Sequence, residues 1–406
     1  MASIEKRGVN SWRLIVEAGY DANGKRIKES RTIKIEDEAL LKTTKKLRDY
    51  LNDELLGFKR EVEAGEYIKP AKMTFNEFYE KEWIPKFAVR ELKSTTYEAY
   101  TTHVKNHLVP VLGHLRLDEI KTMKLVNLFH ALLQPGARKD GRGDKLSSRT
   151  VQYIFDVAQC VFSCAVEWSL IKVNPLDGVK RPKLDKVEKR AKEARKNYYE
   201  EDETISIIRA LYTEATKWRL YFLGAMLGGF RRGELTALEI PDCDFENNRL
   251  RVDESISLTK QGIAIIDDPK NEASADFVDM PVWYMDELKE YLKEWKINKM
   301  KLMNKWLGGE RQFVFHRGFG KPYYHTTPTD MWKQFCKKHG FRYVTLHGLR
   351  HTNATLLLED GASMKAIQKR LRHSSSQTTS EIYAHVTKKH SRATAERLDR
   401  FNPKAK

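Results

Sequence analysis

The feature that most limits how this chain can fold is a run of charge near its middle, Val179 to Glu203, reading VKRPKLDKVEKRAKEARKNYYEEDE. More than half of these residues are ionic, so the run is too polar to build a core. It reads as a solvated helix after Pro182 or as an extended strap. Apolar patterning must therefore be satisfied separately on either side of it. The 406 residues are enough for two or three domains.

On the N-terminal side, residues 1–36 read as a small sheet. Trp12, Leu14 and Val16 alternate with Arg13, Ile15 and Glu17, and Asn23-Gly24 is a hairpin turn signal. The returning strand, Lys25 to Ile35, carries Arg26, Lys28, Arg31 and Lys34. A helix follows with Leu47, Leu51, Leu55, Phe58 and Val62 in one stripe and Gly65 as a stop. One helix on a basic three-stranded sheet could lay strands in a DNA major groove. Arg13, Arg26, Lys28 and Arg31 are the candidate contacts.

From residue 72 to 178 the pattern is helical with almost no strand signal. Thr74-x-x-Glu77 is a capping box ahead of Phe75, Phe78, Tyr79 and Trp83, and Pro85 should end or kink that helix. A second helix starts at Thr95 and runs to about Leu108. A third carries Leu125, Leu128, Phe129 and Leu132. A fourth starts at Ser148 and is stopped by Asn174-Pro175.

The formal charge of +17, in a chain with 32% charged residues, favours a polyanionic partner through counterion release and long-range steering. No apolar run is long enough for a membrane span and no signal peptide is expected. Cys160, Cys164, Cys243 and Cys336 have no zinc-ribbon spacing. Cys160 and Cys164, at i and i+4 on an apolar face, read as reduced core thiols, and the expected compartment is a reducing cytosol.

Chemistry-bearing residues concentrate between Thr345 and Thr387, which holds His347, Arg350, His351, Arg372, His373 and Tyr383. A phenol with a pKa of ~10 is a weak nucleophile at neutral pH. To attack a phosphodiester it needs a proton acceptor, a task for His, and cations around the transition state, a task for the planar fork of Arg. His347 and Arg350 at i and i+3 can share one helix face. Gly361 should break the chain after a helix ending near Leu358. Met364, Ile367 and Leu371 then mark a second amphipathic stretch closed by His373.

These residues resemble the tyrosine recombinases, the phage-type integrase family. The family signature H-x-L-R-H, L-G-H and T-x-x-x-Y-x-H is met by His347-Gly-Leu-Arg350-His351, Leu371-Arg372-His373 and Thr379-Ser-Glu-Ile-Tyr383-Ala-His385. The upstream T-G-x-R-x-x-E-L is met by Gly228-Gly229-Phe230-Arg231-Arg232-Gly233-Glu234-Leu235. Two departures stand out: Gly228 replaces the usual Thr, and Arg372 replaces the usual Gly. Strands are expected at Arg249 to Glu254, Gly262 to Asp267 and Ala275 to Pro281. Lys270, in the turn between the last two, is the candidate for the family's hairpin lysine.

The resemblance implies a fold in several parts. A small α+β arm-type DNA-binding domain, a three-stranded sheet plus helix, would span 1–65. An all-α core-binding domain would span 72–178 and a charged linker 179–198. A mainly α catalytic domain with a small antiparallel sheet would span 199–390, and a basic tail 391–406. It implies a site-specific DNA recombinase, an integrase that integrates and excises a mobile element or prophage through a 3′-phosphotyrosine. Arg231, Lys270, His347, Arg350, His373 and Tyr383 would be catalytic, with Glu234 and His351 in support. No cofactor or metal is called for. The implied partners are double-stranded DNA attachment sites, core and arm, and three further copies of the chain in a homotetramer on DNA. An accessory DNA-bending or excision protein is also implied. The place of action would be the cytoplasm of a bacterial cell, on the nucleoid.

Three rival readings are weaker. A type IB topoisomerase shares the tyrosine chemistry, but the N-terminal sheet and helical domain favour recombinase. A non-catalytic DNA-binding regulator explains the charge but not six filled positions. A metallohydrolase could use His347 and His351 at i and i+4, yet Gly348 stands where the HExxH motif needs Glu.

Overall fold

The computed structural model describes residues 2–20, 24–64, 73–138, 145–194, 196–258, 264–267 and 276–372. The chain divides into two compact units, 1–188 and 189–406, and the division falls inside the charged run. Lys186–Ala194 is helical, which selects the solvated helix over the extended strap.

The N-terminal unit opens with an antiparallel meander of β1 (Ala2–Gly8), β2 (Ser11–Tyr20) and β3 (Arg26–Lys34). Its period of two puts Trp12, Leu14 and Val16 on the inner face, where they are buried against Leu51 and Phe58 of α1 (Thr44–Glu63). Each large apolar side chain buried this way contributes about 1.5–3 kcal/mol.

A second core lies among helices. The first run begins at Phe75–Glu77 with both halves of the Thr74–Glu77 capping box made. It does not end at Pro85. It continues with wider, i→i+5 winding over Phe78–Ala88 and returns to α-helix at Val89–Glu91. A proline lacks an N–H and crowds the carbonyl of the preceding turn, and local widening accommodates both defects. The other helices are α2 (Ser94–His103, prolonged through Val104–Leu108 and Val109–Leu112), α3 (Thr122–Leu132) and α4 (Ser148–Glu167). Capped by Ser147, α4 stops before the Asn174-Pro175 signal, because Ser169 takes a left-handed φ of 57°.

The C-terminal unit is built on α6. Its elements, in order, are α5 (Glu201–Leu211), α6 (Thr216–Leu227), α7 (Arg232–Ala237), β4 (Cys243–Asp244), β5 (Arg249–Val252), β6 (Ser255–Leu258), β7 (Ala264–Asp267) and β8 (Asp276–Asp279). Then follow α8 (Val282–Leu302), α9 (Thr327–His339), α10 (Leu346–Glu359) and α11 (Met364–Leu371). Helix α6 is apolar on nearly every side and packs against α8 and α10. The strands pair differently from the expectation. β8 pairs with β5 in a β4-β5-β8 sheet, whereas β7 pairs with β6 in a separate two-stranded antiparallel sheet. The sequence reading missed β6 and so made β7 and β8 neighbours.

The start of α10 is fixed by chain from far upstream. Thr345 caps the helix, its hydroxyl accepting from the Gly348 N–H at 3.1 Å. Thr345 N donates to Asn197 Oδ1 at 3.0 Å, and Tyr199 N donates to the Thr352 hydroxyl at 3.0 Å. This close approach leaves no room for a side chain at Gly348, where a Cβ would lie 2.3 Å from Val344 Cγ1 and 2.5 Å from the Asn197 carbonyl oxygen. Among the described residues no helix is long and apolar enough to cross a membrane.

Two glycine substitutions should therefore act in opposite directions. Gly348→Ala should destabilise the C-terminal unit by about 1–3 kcal/mol through overpacking. Gly57→Ala, on the exposed side of α1 with nothing within 4 Å of the new carbon, should stabilise the N-terminal unit by roughly 0.5–1 kcal/mol. Denaturant midpoints of each unit's transition measure both.

Candidate active site

The site forms where the end of α6 meets α10 and α11. A helix leaves its last carbonyls without partners, and cationic donors near that end are favourable. Here Leu227 O accepts from Asn353 Nδ2 at 2.8 Å and from Arg370 Nη2 at 2.9 Å. Gly229 O, two residues on, accepts from Arg350 Nη1 at 2.6 Å. The chain turns there through Gly229, at φ 63°, and delivers Arg231 to the N-terminus of α7.

Glu234 caps α7 by accepting twice from Arg231. The Arg231 backbone N–H donates to Glu234 Oε2 at 2.8 Å and its Nη1 donates to Oε1 at 2.6 Å. Arg372 donates from Nη2 to the same Oε2 at 2.7 Å, and its carbonyl accepts from Arg231 Nη2 at 3.3 Å. The Arg231 side chain is 42% exposed, that of Glu234 7% and that of Arg372 6%. Arg350, at 1% exposure, donates its other terminal nitrogen to Leu371 O. Its Nε–H is buried with no hydrogen-bond partner among the described residues. Arg350 thereby pins the Gly229 turn to the end of α11.

Three guanidinium groups thus surround one buried carboxylate. Burial works to raise the Glu234 pKa, but the Arg372 and Arg231 charges and the Arg231 N–H outweigh it, holding the carboxyl below its usual range. Burial, with the Arg231 and Arg372 charges and against the pull of Glu234, pushes the Arg350 pKa down to about 9. It stays cationic at neutral pH. Partial loss of water, then the Arg350 and Arg231 charges, lower the pKa of His347, with Glu234 opposing. His351 is lowered further, to about 4, by burial and by His347 and Arg350. Its ring meets that of His347 edge-on, with centroids 4.9 Å apart. A positive, partly dry cluster beside a neutral imidazole suits binding of an anion that is attacked by a group giving up its proton to that imidazole.

Arg231, Glu234, His347, Arg350 and His351 are therefore gathered in one place, from positions more than a hundred residues apart. Lys270, His373 and Tyr383 lie outside the described residues. In the N-terminal sheet, register separates the four basic candidates. Arg13 pairs with Thr32, and Lys28 with Glu17, on the face away from α1, and Arg26 reaches Glu17 from the same side at 3.4 Å. Arg31 sits opposite Leu14 on the helix-facing side. There it bonds Glu61 and lies 4.7 Å over the Phe58 ring.

Sequence reasoning missed the parts played by Arg370 and Arg372. The only signal for Arg372 was its departure from the family's Gly. It adopts φ 52°, ψ 50° at the end of α11, a left-handed conformation that costs a residue with a Cβ about 1–2 kcal/mol. Gly228 is explained by its neighbour. A Cβ there would lie 2.1 Å from Phe230 Cε2 and 2.9 Å from Met280 Sδ.

Residues 197–390 match the model of the Phage integrase family, and residues 74–133 match that of the phage integrase N-terminal SAM-like domain. The integrase of Staphylococcus phage L54a is 30% identical over 56% of this chain and 67% of its own length. The chain belongs to the phage integrase family. A tyrosine recombinase XerC-like protein of Caldanaerobacter subterraneus subsp. tengcongensis is 26% identical over 97% of both chains. The integrase of transposon Tn1549, solved in complex with a circular intermediate DNA, shares the fold with a TM-score of 0.63, 21% identity, and coverage of 80% of this chain and all of that one.

The shared carboxylate gives this integrase a measurable dependence. Glu234→Gln should destabilise the C-terminal unit by about 3 kcal/mol, because it strands buried guanidinium charge. The folded pKa of Glu234 is depressed, so its contribution is complete above the unfolded value of about 4.3 and is lost as pH falls through the folded value. The gap between wild type and variant in urea melts should close only under acid conditions.

Proposed function

We propose that this chain is a site-specific DNA recombinase that integrates and excises a mobile element or prophage through a covalent 3′-phosphotyrosine. The observation that carries the reading is the cluster of Arg231, Arg350 and Arg372 around a single buried carboxylate, with His347 beside it. In this reading the Tyr383 oxygen attacks the scissile phosphorus as the bond to the 5′-oxygen breaks. His347 takes the tyrosine proton, and Lys270 gives a proton to the leaving 5′-oxygen. The half-exposed Arg231 fork binds the non-bridging oxygens, and the buried Arg350 adds its positive charge to the site. His373 adds a hydrogen bond. The phosphoester bond energy is kept in the phosphotyrosine, so rejoining is the same reaction in reverse and needs neither ATP nor metal.

The open face of the N-terminal sheet, with Arg13, Arg26 and Lys28, is proposed to hold arm-site DNA, while the helical part of that unit binds the core site. Exchange between two duplexes consumes one tyrosine per strand cut, so four copies act together on DNA. An accessory DNA-bending or excision protein and a cytoplasmic, nucleoid-bound location complete the reading.

Covalent trapping tests it. A nicked suicide duplex spanning the junction between the encoding element and its host chromosome is incubated with protein in EDTA. Wild type should give a denaturant-resistant adduct and Tyr383→Phe none. Wild type that binds the duplex without forming an adduct would overturn the reading, as would an adduct from Tyr383→Phe.

The same assay has a pH signature. The lowered His347 pKa keeps the imidazole unprotonated at neutrality, so the rate should fall only as pH drops below about 6.5, the ordinary histidine value. His347→Gln should slow adduct formation by roughly 10²- to 10⁴-fold and abolish that acid limb. Arg231→Lys, which loses the fork, should cost on the order of 10²-fold. An unchanged acid limb in His347→Gln would assign the base elsewhere.

A further inference from the structure

The residue before His373 is an arginine where this family usually has glycine, and the structure uses its side chain. Arg372 holds a left-handed backbone, φ 52° and ψ 50°, that glycine adopts without strain. Its guanidinium folds back across the Phe230–Glu234 turn. Nη2 bonds Glu234 Oε2 at 2.7 Å, and the guanidinium carbon lies 5.3 Å from the centre of the Phe230 ring. Its backbone carbonyl receives Arg231 Nη2 at 3.3 Å. The buried Phe230 ring in turn fills the space that a side chain at position 228 would need. Gly228, Phe230 and Arg372 are therefore one packing solution, and both departures from the family pattern fall within it.

From this geometry we infer that Arg372 is a positioning residue for the cleavage reaction. Through Glu234 and Phe230 it locks the Arg231 turn to the end of α11. Glu234 can be divided in this way because its two oxygens serve different partners. Oε1 takes the Arg231 side chain, while Oε2 takes the Arg231 N–H and Arg372. With Oε2 held from the far side, the carboxylate cannot turn, and the Arg231 fork keeps its aim. Arg372 itself is 6% exposed and is turned inward, so it acts through Arg231 without touching DNA.

The inference rests on the recombinase reading, and the test separates the two. Adduct formation on the suicide duplex is followed at saturating and at sub-saturating duplex for wild type, Arg372→Gly, Arg372→Lys, Glu234→Gln and the Arg372→Gly/Glu234→Gln double variant. Arg372→Gly, although it restores the family residue and relieves the backbone, should form adduct on the order of 10- to 100-fold more slowly at saturation, with duplex affinity unchanged. Arg372→Lys, which still reaches the carboxylate with a charge, should recover part of that loss. In the Glu234→Gln background, Arg372→Gly should cost less than about two-fold, because the group it acts through is gone. If Arg372→Gly lacks a cooperative melt, Arg372→Gln replaces it, with the same loss expected.

Wild-type rates in Arg372→Gly, a loss confined to duplex affinity, or losses that multiply in full in the double variant would overturn the positioning role while leaving the recombinase reading intact. Wild type that binds without adduct would instead remove the reading on which the role rests.

Discussion

The Glu234 carboxylate is the interaction on which the C-terminal unit depends. Like charges crowd at the end of α6, and each guanidinium taken from water is costly unless something answers it. One carboxylate answers two of them directly, and its field reaches a third. Its side chain caps α7 at the same time, so a local helix signal and a long-range ion network meet in a single residue. The burial that makes the pair expensive also makes it directional, since no water competes for the oxygens.

The parts of the site are separated in sequence and are joined by backbone carbonyls as much as by side chains. Leu227, Gly229 and Leu371 supply acceptors, while Arg370, Asn353 and Arg350 supply donors. Such bonds fix position without committing the outward face of Arg231. The upstream anchor at Asn197 and Tyr199 does the same for α10, and it explains why the residue after His347 is a glycine. Precision of placement is thus built from helix ends, where unpaired groups already need partners.

Much of this could be read before any coordinates. Alternation at Trp12, Leu14 and Val16, the Leu47 to Val62 stripe and the Thr74–Glu77 box each state their element in local terms. The boxes around Arg231 and His347 marked residues that the fold brings together, because their residue types are few and their order is fixed. What escaped reading was non-local. Pairing of β8 with β5 depends on which strand lies nearest in space, and the four residues of β6 are too short to announce themselves. Pro85 was read as a stop or a kink because propensity describes a helix in isolation, whereas here a packed core carries the chain past it with a local widening. Arg31 looked like its basic neighbours until register turned it toward Phe58. Arg372 looked like a tolerated departure because the carboxylate that explains it lies 138 positions away.

The uneven ratio of three guanidinium groups to one carboxylate has a consequence for the protein as a substance. The unit folds with a surplus of positive charge held in place at the end of α6, and folding alone cannot neutralise that surplus. In the recombinase reading proposed above, a phosphodiester brings the opposite sign to the same place, and the nucleic-acid backbone is then a stabilising ligand in the thermodynamic sense. Polyanions with no sequence relation to any recombination site should share that property in proportion to their charge density. Choice of sequence must come from other parts of the chain.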